Sequence, residues 1–136
     1  MNLKIHQVDS FSQDLFKGNP TAVIILERWL EDALMQAIAI ENNLSETAFL
    51  VPLATNYYFI RWFSPICEID FCGQARLAVA RVLFENNTEA LELRFATSKV
   101  GELSVRRAEN HLIAMDFPIH LPQPIQEIPD ALLNGV

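Results

Sequence analysis

The 136-residue sequence has no long apolar run. Its longest unbroken aliphatic stretch is Ala22-Val23-Ile24-Ile25-Leu26, far short of the ~20 residues that a membrane-crossing helix requires. Basic residues are scarce and scattered: ten Lys and Arg against seventeen Asp and Glu, a formal charge of −7. A protein that tracks a nucleic-acid backbone or an anionic lipid surface needs clustered positive charge. Neither nucleic acid nor membrane is therefore an expected partner. Cysteine is also rare. Cys67 and Cys72 match no zinc or thioredoxin-like spacing, and reduced thiols in a cytoplasmic setting are the expectation. His6, His111 and His120 stand apart from any Asp, Glu or Cys at ligand spacing, so no metal site is expected. G-x-S-x-G, P-loop and dinucleotide-binding motifs are missing. Met1 to Val8 contain Lys4 and His6 and no apolar core of the kind a secretory leader needs.

What is present is apolar surface, at 51% of residues. That excludes a disordered chain, which lacks the apolar surface to offset ordering entropy. One domain of this length buries roughly two-thirds of the surface its unfolded chain exposes. Strands are expected around Leu3 to Val8, at Thr21 to Leu26, Thr47 to Val51 and Tyr57 to Phe63, and again near 91–95, 103–106 and 112–117. Between the first two lies a turn, Phe16-Lys17-Gly18-Asn19-Pro20, in which Gly18 permits positive φ. A helix is expected from Trp29 to Asn43, with Leu30, Leu34, Ala37 and Ile38 on its apolar stripe. Asn42-Asn43 forms its stop. A second helix, Gly73 to Asn86, is apolar nearly all round except for Arg81, so it must be covered on most sides. Its neighbours read as strands, which places it inside a curled, largely antiparallel sheet. Pro118, Pro122, Pro124 and Pro129 then preclude a regular helix or central strand. The expected division is one domain over 1–118, followed over 119–136 by a Pro-rich linker and the start of a further helix at Asp130.

Two places carry candidate chemistry. The helix opening at Cys72-Gly73-Gln74-Ala75 begins with N–H groups that have no intrahelical partner, and the helix dipole favours an anion there. Gly73 either lets a carboxylate or phosphate approach the backbone or merely permits a tight strand-to-helix turn. Glu46, between Leu44 and Phe49, is either a solvated corner carboxylate or a partly buried one suited to proton transfer. Asp9, Asp70 and Asp116 read as strand-end or turn carboxylates, and Phe59, Trp62 and Phe63 as core.

Taken together, several segments resemble the phenazine biosynthesis PhzF-like family. They are Val8-Asp9-Ser10-Phe11, Phe16 to Pro20, Asn42 to Phe49, Ile60 to Pro65, Cys72 to Ala78, and Met115-Asp116-Phe117-Pro118. The resemblance implies an α+β, diaminopimelate epimerase-like domain: a strongly curved, mainly antiparallel sheet wrapped around a central helix. It also implies an isomerase that uses neither metal nor organic cofactor and binds a small carboxylate-bearing metabolite between two similar domains. On this chain the family's proton-shuttling glutamate falls on Glu46. Its Asn-Pro turn falls on Asn19 and Pro20, and its anion-binding helix start on Gly73, Gln74 and Ala75. Two departures stand out. Gln74 and Arg76 replace the His and Thr of the family's Cys-Gly-His-Ala-Thr, and Gln does not exchange a proton near neutral pH. The chain is also about half the family's length. The expectations that follow are an isomerase whose site forms between two copies of the chain, a carboxylate binder without catalysis, or a fragment of a two-domain isomerase.

Overall fold

The computed structural model describes residues 1–119, 121–124 and 127–135. His120 and three residues of the expected linker, Ile125, Gln126 and Val136, lie outside the described residues. Among the described residues eight strands form one sheet: β1 (Ile5–Ser10), β2 (Asn19–Ile25), β3 (Glu46–Ala54), β4 (Tyr57–Phe63), β5 (Glu68–Ile69), β6 (Glu92–Ala96), β7 (Glu102–Arg107) and β8 (Ile113–Met115). The helices are α1 (Asp32–Asn42), α2 (Gly73–Asn86) and a single turn, α3 (Asp130–Leu133).

The main path through the sheet runs β1-β2-β3-β4-β6-β7-β8, with β5 added on β4. Five pairings are antiparallel and two parallel, β2 with β3 and β4 with β6. Parallel neighbours need a long crossover, and α1 and α2 lie in those two crossovers. Both edge strands, β1 and β8, contact α2, as do β2 and β3. Opposite edges of one sheet meet the same helix only if the sheet curls around it. The expected wrapped-helix architecture is therefore the observed one.

Strand alternation sorts the core into two layers. Val23, Ala48, Leu50, Ile60 and Trp62 point inward onto Ala75, Ala78, Val79, Val82 and Leu83 of α2. Ile24, Leu26, Phe49 and Phe63 point the other way, onto Met35 and Ala39 of α1. Half of the expected α1 stripe faces the core: Leu30 and Ile38 pack against it, whereas Leu34 and Ala37 are exposed and Met35 and Ala39 are the buried residues. The helix also begins at Asp32 rather than Trp29. The Trp29 ring instead meets Phe59 edge-on, centroids 5.7 Å apart, and Gln36 Nε2 is tied to the Ser64 carbonyl at 2.9 Å. These contacts set the roll of the helix, and local periodicity does not record them. Asn43 ends α1 in the left-handed conformation, φ 50°, as expected of Asn at such a stop.

The turn at Gly18 is built differently from expectation. Left-handed φ is carried by Phe11 and Phe16, at 66° and 64°. At Gly18 the constraint is space: a Cβ would stand 2.5 Å from the Ser10 carbonyl oxygen. This close approach brings Asn19 and Pro20 into β2, where Pro20 lies opposite Asp9. No helix among the described residues is long and apolar enough to cross a membrane.

Candidate functional site

The start of β3 and the start of α2 meet, and with them most of the candidate residues. Glu46 is the first residue of β3 and lies opposite Thr21 of β2. Its carboxyl is half-buried, and Oε2 is shielded from water without a hydrogen-bond partner. Burial lifts the Glu46 carboxyl above its ordinary value, and the nearby Cys72 thiol offsets this only in part. A proton is thus held more readily here than on a solvated glutamate.

Cys72 caps α2. Its sulfur accepts the Ala75 N–H at 3.4 Å, while its carbonyl accepts the Arg76 N–H at 3.1 Å. Burial pushes the thiol pKa up, the Ala75 N–H opposes this, and the charge of Glu46 adds to the rise. Sulfur is an unusual capping group, since Ser, Thr, Asp and Asn dominate that position. The Gly73 and Gln74 N–H groups lie ahead of the helical ladder. Gly73 does not have positive φ, so the strand-to-helix turn does not require glycine on conformational grounds. What requires it is Phe117, whose ring carbon lies 2.6 Å from where a Cβ would stand.

Gln74 is held by three bonds. Its Oε1 accepts from Asn19 Nδ2 at 2.7 Å, and its Nε2 donates to the Asn19 carbonyl at 2.9 Å and to Thr21 Oγ1 at 2.8 Å. The carbonyl acceptor fixes which end of the amide is which. Ser45 Oγ donates to Asn19 Oδ1 at 2.9 Å, extending the network to the residue before Glu46. Asn19, Gly73, Gln74, Ala75 and Glu46 therefore surround one junction. Pro20 lines the strand beneath it through its backbone position. Thr21, Ser45, Cys72, Arg76 and Phe117 were not singled out from sequence as site residues. Cys72 was legible in principle, because the residue before a helix-opening glycine occupies the capping position.

Arg76 was read only as a departure from a motif. It is wholly buried, with its guanidinium carbon 5.4 Å from the Phe71 ring centroid and 5.0 Å from that of Phe117. Nη2 donates to the Asp116 carbonyl, while Nε and Nη1 have no partner among the described residues. Burial lowers its pKa from the ordinary value, opposed by the charge of Asp116.

A cavity of about 610 Å³ lies elsewhere, between the second half of α2 and the turn joining β7 to β8, with Phe84, Thr88, Arg107 and His111 in its wall. Arg107 there is bound to the carbonyls of Ala90, Phe84 and Asn87, which makes it a cap for the end of α2. The cavity contains none of the residues at the β3–α2 junction. A half-buried carboxyl and a helix N-terminus converge at the junction instead.

The model of the family described as phenazine biosynthesis-like protein (PhzC-PhzF) matches residues 8–135. An uncharacterized isomerase of Pseudomonas aeruginosa is 52% identical over 137 residues, covering 100% of this chain and 51% of that protein. Phenazine biosynthesis-like domain-containing protein 1 of Mus musculus is 42% identical over 146 residues, covering 100% of this chain and 50% of that protein. The crystal structure of a phenazine biosynthesis protein of the PhzF family from Enterococcus faecalis superposes with a TM-score of 0.82 at 46% identity, covering 98% of this chain and 50% of that one. The chain thus spans about half the length of the curated relatives it matches. With the wrapped-helix fold and the motif order in agreement, the chain belongs to the phenazine biosynthesis-like (PhzF) family of isomerase-related proteins.

Proposed function

We propose that the chain forms half of a cofactor-independent isomerase site that moves a proton on a small carboxylic acid, the other half being a second, twofold-related copy. The observation that carries this reading is Glu46: a half-buried carboxyl with an unpartnered Oε2 and a raised pKa, beside the first N–H groups of α2. Helix N–H groups hold a substrate carboxylate, and a carboxyl titrating closer to neutrality exchanges a proton with the adjacent carbon more effectively. Phe11, Leu15 and Phe16, on the loop that leads into Asn19, are exposed, as expected of a rim that a second copy covers. Sedimentation should show a dimer at micromolar concentration. Solvent deuterium should enter a turned-over carboxylic acid, and Glu46→Gln should slow that exchange by ~10²-fold or more. A monomer with no Glu46-dependent exchange across a panel of unsaturated and aromatic carboxylic acids would overturn the reading.

One observation favours a second reading. Gln74 stands where the family has His and is bound on both ends of its amide, so it holds Asn19 rather than carrying a proton. On this reading the site binds a carboxylate without catalysis. Saturable carboxylate binding with no deuterium incorporation is its signature.

A further inference from the structure

Arg76 is the least satisfied charge among the described residues. A buried guanidinium normally has its donors matched, and leaving them unmatched is costly. Here the single polar partner is one backbone carbonyl, Asp116 O. The adjacent carboxylate is engaged elsewhere: Asp116 Oδ2 accepts from Ser104 Oγ at 2.6 Å, and Oδ1 lies 3.7 Å from Arg106 Nη2. Nε and Nη1 are buried and have no partner among the described residues. Long helical side chains lean toward the helix N-terminus, so from the first turn of α2 the guanidinium reaches back toward the helix start. One ring registers both places. Phe117 lies over the guanidinium, 5.0 Å from its carbon, and fills the space left by the missing side chain of Gly73.

We infer that Arg76 is a carboxylate-recognition residue kept covered by the Asp116–Pro118 segment. A ligand carboxylate takes the side-on fork of Nε–H and Nη2–H, the geometry in which guanidinium binds carboxylate most strongly. In doing so it displaces the Asp116 carbonyl and lifts Phe117 from Gly73. The guanidinium and the first N–H groups of α2 then grip the same anion. Arg61 shows the same fork already filled in this molecule, with Nε and Nη2 on the two carboxylate oxygens of Glu68 at 2.7 and 2.6 Å. The inference rests on reading the start of α2 as the carboxylate pocket, and it adds both the residue that selects the carboxylate and the segment that opens for it.

The test is a titration of the full 136-residue chain with sodium benzoate at constant ionic strength, followed by nitrogen–proton NMR, with benzamide as the uncharged control. The Arg76 Nε–H resonance and the Gly73 and Gln74 amides should move together and saturate, and benzamide should move none of them. Arg76→Gln should weaken benzoate binding at least tenfold, and Phe117→Ala should tighten it several-fold. If the Gly73 and Gln74 amides titrate with the same midpoint in Arg76→Gln, the role of Arg76 is overturned and the pocket stands. If no resonance at the junction moves, both fall. Should Arg76→Gln fail to fold, Phe117→Ala decides, since an unchanged midpoint overturns the inference.

Discussion

Arg61 and Arg76 each sit against two aromatic rings, yet their donors fare differently. Arg61 lies 5.4 Å from the Trp29 centroid and 5.2 Å from that of Phe63, with Glu68 on its fork and Asp32 on Nη1 at 2.9 Å. These carboxylates hold its pKa above the ordinary value, with burial opposing them, and its bonds tie the start of α1 to β4 and β5. Arg76, more deeply buried, has one carbonyl partner and two donor nitrogens unpartnered among the described residues. A guanidinium that holds a fold together is matched by that fold. One that the fold leaves unmatched, beside a helix N-terminus and a half-buried glutamate, is placed for something the chain does not itself supply.

The comparison breaks most visibly at Arg61. Arg61→Met removes the fork to Glu68 and should cost about 2 kcal/mol in urea denaturation. Arg76→Met should do the opposite and stabilise the chain by about 1 kcal/mol, because an apolar side chain of similar volume replaces an incompletely compensated buried charge. A loss at Arg76 matching that at Arg61 would erase the distinction. Glu46→Gln sharpens it through pH. The folded pKa of Glu46 is raised from the ordinary 4.5, so the stabilising contribution of the protonated form is complete below about that pH and is lost as pH rises through the folded value. The melting temperature of Glu46→Gln should therefore match wild type near pH 4 and exceed it once the pH has risen through the folded value. The smallest effect belongs to Arg81→Ala. This residue pairs with Glu85 at 2.7 Å, but both side chains are more than half exposed, and the loss should be under ~0.5 kcal/mol and vanish at high salt.

The same contrast explains what was readable from sequence. The burial of α2 is legible because the run Leu77 to Phe84 is apolar except for Arg81, and most strands follow from alternation or β-branched runs. β5, two residues long, is too short to show a period. The roll of α1 depends on Gln36 reaching Ser64, a contact that spacing within the helix does not encode. At the site, Glu46 and Gly73 stand out from their local sequence and Asn19 only through the motif resemblance, and the three meet at one junction. The environment of Arg76 was invisible because its carbonyl partner lies 40 residues along the chain. Gly18 reads from sequence as a source of backbone freedom and Gly73 as room for a ligand or a tight turn, whereas Ser10 and Phe117 crowd the two positions, which is a tertiary property.

The claim on which the proposed proton transfer depends is that Glu46, at the meeting of β3 and α2, holds its proton more tightly than a solvated glutamate. Titration of its side-chain carboxyl carbon by NMR, with Glu46→Gln used to assign the resonance, measures this directly. The account predicts a midpoint clearly above the ordinary 4.5. A midpoint at or below that value would contradict it.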